Sequence, residues 1–123
     1  MSPEKSQPPR RHKLLTAEIR KRLPELHSNE DKGLDALAQV KFFTPDGNFT
    51  WYASEFDGKD LFFGLVVGQE FELGNFALSE LEQVLGPMGL PIERDRYFSP
   101  KTLRQLKALH TEIKTLRQRG DVD

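Results

Sequence analysis

Apolar and polar positions alternate with a period of two along the middle of the chain, from Leu37 to Ala77. That is the spacing at which successive side chains of a strand fall on opposite faces. Leu37 to Thr44 reads as a first strand, Pro45-Asp46-Gly47-Asn48 as a turn, and Phe49 to Phe56 as its antiparallel partner. Asp57-Gly58-Lys59-Asp60 is a second turn signal. Leu61 to Val67 is apolar on both faces, as suits a central, buried strand. Gln69 to Ala77, interrupted by Gly74, completes a meander of about four strands.

On both sides of the meander the period becomes helical. Thr16 stands as a cap ahead of Ile19 and Leu23, and Pro24 stops the helix. Glu25 to Asp35 is a polar loop. Ser79 with Glu82 reads as an S-x-x-E capping box, and Leu78, Leu81, Val84 and Leu85 give a short helix one apolar face. Gly86-Pro87 ends that helix, and Gly89 and Pro91 bend the chain again, so residues 86–91 are expected to be a fixed connection. Ile92 to Phe98 alternates once more, with Ile92, Arg94, Arg96 and Phe98 on one side and Glu93, Asp95 and Tyr97 on the other. A last helix is expected from Lys101 to Arg119. Its stripe is Leu103, Leu106, Leu109, Ile113 and Leu116, docked on the sheet in preference to pairing with a second copy.

The expected fold class is therefore α+β. An antiparallel sheet of about four strands, with 92–98 a candidate fifth, is packed by two or three helices and followed by the long C-terminal one. Residues 14–119 form one domain. Residues 1–13 have no apolar side chain after Met1 and read as a disordered basic tail, and 120–123 as a frayed end.

Four segments carry a family resemblance: LLTAEIRKRLP at 14–24, VKFFTPDGNFTWYASEFD at 40–57, LFFGLVVG at 61–68, and ELGNFALSELEQVLGPMGLPIERDRYF at 72–98. With its L-S-E-L-E and G-P-x-G-L-P-I-E-R-D elements, the chain resembles a bacterial family catalogued only as a domain of unknown function. That family is met among plasmid and conjugative-element genes. The resemblance implies a small soluble bacterial domain from mobile DNA. It brings no activity, cofactor or catalytic residue.

Composition narrows the chemistry. With no cysteine, disulfides, zinc–thiolate sites and thiol catalysis are excluded, and a cytoplasmic location is expected. No apolar run approaches the roughly 18 residues of a membrane span, and no apolar segment follows the basic N-terminus as in a secretory signal. The net charge of −1 conceals an asymmetry. Residues 1–22 hold seven Lys and Arg against two acids, a local +5; residues 23–99 hold five against fourteen, −9; residues 100–123 hold six against three, +3. Basic ends can seek phosphate or lie on the chain's own acidic surface.

No residue pattern announces an active site. His12, His27 and His110 show neither ligand spacing nor a triad neighbour, and the glycines form no phosphate loop. Glu93 and Asp95 fall on one strand face about 7 Å apart, with Glu80 and Glu82 ahead of the bend. Such acids can hold Mg²⁺ or act as acid and base, but they also serve as ion-pair partners and helix N-terminal acids. Of the neighbouring rings Trp51 and Tyr52, one must face the less covered side of the sheet.

The first expectation is a non-enzymatic accessory or protein-interaction domain, a monomer or weak dimer, with no cofactor and no membrane partner. Its binding surface would include Trp51, Tyr52, Glu93, Arg94, Asp95 and Arg96. The alternative is a nucleic-acid binder using Arg10, Arg11, Lys13, Arg104, Lys107, Lys114 and Arg117, with a sheet aromatic as stacking platform. A second alternative is a metal-dependent enzyme around Glu93 and Asp95.

Overall fold

A computed structural model describes residue 10 and residues 12–122. The elements in chain order are α1 (Ala17–Arg22), a 3₁₀ segment (Glu30–Asp35), β1 (Leu37–Ala38), β2 (Val40–Phe43), β3 (Thr50–Phe56), β4 (Leu61–Val67), β5 (Phe71–Ala77), α2 (Leu78–Gln83), β6 (Glu93–Arg94), β7 (Lys101–Thr102) and α3 (Leu103–Val122). β2 to β6 form one antiparallel sheet in the order β5-β4-β3-β2-β6, and β1 pairs with β7 in a separate two-stranded ladder. The fold is α+β, and the candidate fifth strand exists as β6, shortened to two residues.

Both sheet faces are covered. On one, Phe42, Phe56, Phe62 and Phe76 pack with Ile19 and Leu23 of the α1 region, Leu81 of α2, and Ile92. Phe62 is the hub, with ring centroids 5.5 Å from Phe42, 4.6 Å from Phe56 and 5.3 Å from Phe76. On the other, Tyr52, Leu65 and Val67 pack under Leu103 and Leu106 of α3, with Ala36 and Ala38 beside them. A bulge between Ala53 and Glu55 shifts the β3–β4 register. It turns Phe56 onto the face of Phe62, where simple alternation would have left it with Tyr52.

Four expectations needed correction. The first strand splits: Gln39 still donates to the Ala53 carbonyl (2.8 Å), but Leu37 and Ala38 turn away to pair with Thr102 and Lys101. No local pattern could reveal a partner so far along the chain. Ser79 is not the cap of α2, because its amide and hydroxyl both donate to the Asp60 carboxylate (2.8 and 2.7 Å). A charged acceptor from the preceding turn has captured it. Glu80 instead accepts from the Ala77 amide (3.2 Å), and the cap lies two residues earlier, at Ala77. Val84 and Leu85 lie past its end and are exposed.

The stripe of α3 is the fourth. Leu103 and Leu106 are buried, yet Leu109 is 45% and Leu116 57% exposed. At about 100° per residue, position 109 lies some 120° round the helix from 103, and position 110 only about 20°. His110, Ile113 and Lys114 therefore continue the half-buried face. Thr16 does cap α1, its hydroxyl accepting from the Ile19 amide (3.2 Å).

The expectation of a disordered tail falls mainly on residues 1–9 and 11, outside the described residues. Arg10, at its end, has defined partners: its Nε donates to the Ile92 carbonyl (2.8 Å). Arg94 Nε donates to the Lys13 carbonyl (3.0 Å), which fastens the approach to α1 along β6.

Candidate functional site

The β2–β3 hairpin tip is the centre of the site. Thr44 holds it shut: the Thr44 amide donates to the Phe49 carbonyl (3.0 Å), and the Thr44 hydroxyl accepts from the Phe49 amide (3.0 Å). Asp46, within this turn, reaches across to the 86–90 turn. Its Oδ2 accepts from the amides of Met88 (2.7 Å) and Leu90 (3.3 Å). Within that turn Gly86 donates to the Leu90 carbonyl (2.8 Å), and Gly89 takes a left-handed φ of 87°. Gly86 is required for a different reason: a Cβ there would sit 1.6 Å from Asp46 Oδ1. That oxygen is buried with no hydrogen-bond partner, packed against the glycine.

So fixed, the turn displays apolar side chains to solvent. Val84, Leu85 and Leu90 are exposed, Met88 is 83% exposed and Phe49, across from them, 47%. Trp51 is half-buried, its ring 5.7 Å from that of Phe49.

On the other face of the sheet the tip borders α3. Lys41 lies opposite Tyr52 in the β2–β3 ladder and so shares its face. Tyr52 Oη and His110 Nε2 are 2.6 Å apart. Burial pushes the Tyr52 phenol up to about 12, and the nearby Asp95 carboxylate adds to the rise. Burial also lowers His110, and the positive charges of Lys41, Lys114 and Arg117 lower it further. Both shifts keep the phenol and the imidazole neutral, so the contact is a hydrogen bond between two uncharged groups. Lys114 donates to the Gln69 carbonyl (2.7 Å) and lies 4.7 Å from the Phe71 ring centroid. Lys41 is 3.6 Å from the Asp95 carboxylate. Arg117 makes no hydrogen bond or ion pair with the described side chains.

A recess of about 1010 Å³ wraps round the tip, touching Trp51, Leu85 and Pro87 on one side and Lys41, Phe43, His110, Lys114 and Arg117 on the other. A second depression, about 470 Å³, is bounded by Lys41, Phe43, Arg94, Asp95, Arg96 and Tyr97.

These positions revise the roles expected from sequence. Tyr52 is 1% exposed and offers no stacking surface; Trp51 is half-buried. Glu93, Arg94, Asp95 and Arg96 do lie together along the second depression. The basic residues do not gather into one patch. Arg10 ties Ile92 to the carbonyls of Leu81 and Glu82, Arg104 pairs with Asp35 (2.9 Å), and Lys107 lies 5.9 Å from the Phe71 ring centroid. Lys13 contributes its carbonyl to Arg94, and Arg11 lies outside the described residues. Among the described residues, no three His, Cys, Asp or Glu side chains come together as metal ligands. Residues not singled out from sequence are Asp46, Met88 and, as Tyr52's partner, His110. Only the P-D-G-N turn around Asp46 carried a local signal.

An antiparallel sheet covered on both faces, with a clamped apolar turn bordering a recess at one end, defines a small α+β domain. The chain belongs to the family described as protein of unknown function (DUF2958), whose model matches residues 14–117. No curated protein and no solved structure matches it. No helix among the described residues is long and apolar enough to cross a membrane.

Proposed function

We propose that the domain is a non-catalytic protein-interaction module that presents Phe49, Leu85, Met88 and Leu90 to another polypeptide. The observation that carries this reading is the clamp: the Asp46 carboxylate is committed to holding a turn whose apolar side chains face solvent. A rigid apolar display needs little ordering on binding, which favours a docking role. It also concentrates exposed large apolar groups in one place, as protein-binding patches do. The resemblance to families of mobile DNA supports an accessory role in a bacterial mobile element, and the absence of cysteine agrees with the cytoplasm.

The test is comparative co-purification from the native host. Leu85 and Met88 are exposed, so a Leu85→Glu/Met88→Glu double variant should keep wild-type stability to within about 0.5 kcal/mol. A partner retained by the wild type and lost by this variant, but kept by Leu109→Glu, supports the reading. A partner lost equally from both would place the interface elsewhere.

A further inference from the structure

The two depressions share Lys41 and Phe43, so they join into one trough that passes from β6 over β2 to α3. Its cations are Arg94 and Arg96 at one end, Lys41 in the middle, and Lys114 and Arg117 at the other. Its acids on this side of the tip are Glu93 and Asp95, and Asp95 is already held 3.6 Å from Lys41. Asp46 is turned away onto the Met88 and Leu90 amides. Positive charge therefore dominates the trough, although residues 23–99 as a whole carry −9. Lys41, Lys114 and Arg117 lie near enough together that all three bear on His110.

Two features go beyond a simple anion site. The Tyr97 ring is 90% exposed beside Arg96, and the Phe43 ring is half-buried in the middle of the track beside Lys41. The open Tyr97 ring and the half-buried Phe43 ring, with Lys41 Nζ 5.9 Å from the Phe43 centroid, alternate with cations and fit a chain that alternates phosphates and planar bases. The recess curves round a hairpin tip, which suits a flexible single strand better than a rigid duplex. Lys114 donates one ammonium proton to Gln69 and keeps two for a ligand.

We propose that a single-stranded polynucleotide binds along this trough, with phosphates on Arg96, Lys41, Lys114 and Arg117 and bases against Tyr97 and Phe43. This site lies across the hairpin tip from the apolar turn and does not depend on the interaction proposed there. Because the surrounding domain is acidic, long-range attraction contributes little, and affinity rests on these contacts.

The test is fluorescence anisotropy of a labelled oligothymidylate with the full chain, at low and physiological salt. Arg96, Tyr97 and Arg117 are exposed, so their variants should fold, as thermal melts would verify. Arg96→Ala/Arg117→Ala should weaken binding at least tenfold. It should also reduce the slope of log affinity against log salt by about 1.4, at about 0.7 for each phosphate no longer neutralised. Tyr97→Ala should weaken binding at least fivefold, since removing one stacking ring costs about 1 kcal/mol or more. Arg104→Ala/Arg119→Ala, equal in charge but outside the trough, and Met88→Glu should leave the affinity unchanged. Equal losses in the two arginine pairs, or no binding at physiological salt, would overturn the proposal. So would a polyglutamate peptide that binds more tightly through the same arginines, since the trough would then be an acidic-peptide site.

Discussion

Asp46 Oδ2 accepts the amide of Met88 at 2.7 Å, across 42 residues of chain. This contact makes two turns into one rigid end. Asp46→Ala should destabilise the fold by about 2 kcal/mol, as loss of hydrogen bonds to a charged acceptor does, measured by urea denaturation. The amides of Met88 and Leu90 should lose their protection from hydrogen exchange. Protection unchanged in the variant would mean the turn holds itself.

Gly86 and Asp46 should couple strongly. Gly86→Ala puts a methyl against the Asp46 carboxylate and should cost about 2 kcal/mol or more, as overpacking does. In an Asp46→Gly background the same substitution should cost less than about 0.5 kcal/mol, a surface-like value. A double-mutant cycle reads the difference directly, and additivity would contradict the contact.

The Tyr52–His110 pair sets a pH dependence with a definite sign. His110 is lowered in the fold by burial first, then by Lys41, Lys114 and Arg117, with the Tyr52 hydroxyl and the Phe71 ring as its other neighbours. Below about pH 6.5 an unfolded histidine takes up a proton that the folded one refuses, so acid favours unfolding. Stability should fall as pH drops from 7 towards 5, and more steeply in the wild type than in His110→Gln. By NMR, Lys41→Met should raise the His110 pKa, and Arg117→Gln should raise it less. Tyr52→Phe should cost about 1 kcal/mol, the value of one buried hydrogen bond.

A buried carboxylate organises the loop before the sheet. Glu55, 3% exposed, accepts from the amides of His27 and Asn29 (both 2.8 Å). His27 has a left-handed φ of 72°. Glu55→Ala should therefore cost about 2 kcal/mol, since two partly buried donors lose a charged acceptor. His27→Gly should be more stable than His27→Ala by about 1 kcal/mol, because only glycine takes that conformation freely. Equal stabilities in chemical denaturation would show that the loop relaxes.

Local physics makes the fold legible where structure is local. The strand Leu61–Val67, the hairpin at Pro45–Asn48 and the Thr16 cap follow from period and turn chemistry alone. What escapes depends on distant partners. Leu37 and Ala38 leave the sheet for a strand at 101–102, and Ser79 is taken by Asp60. Counting leucines misplaces the docked face of α3, which runs through His110 and not Leu109. The site is less legible still. Asp46–Met88 and Tyr52–His110 are contacts at separations of 42 and 58 residues, with no signature at either end. The 86–91 connection is readable as rigid from its glycines and prolines; that Asp46 holds it is not.

The most direct measurement is site-specific photo-crosslinking in the native host, with a benzophenone side chain at position 88 and, as control, at exposed position 112. The account predicts one discrete crosslinked protein from position 88, none from 112, and a weaker product from 88 when Asp46→Ala loosens the turn. The same products from both positions, or none from 88, would contradict a protein-docking role for the clamped turn.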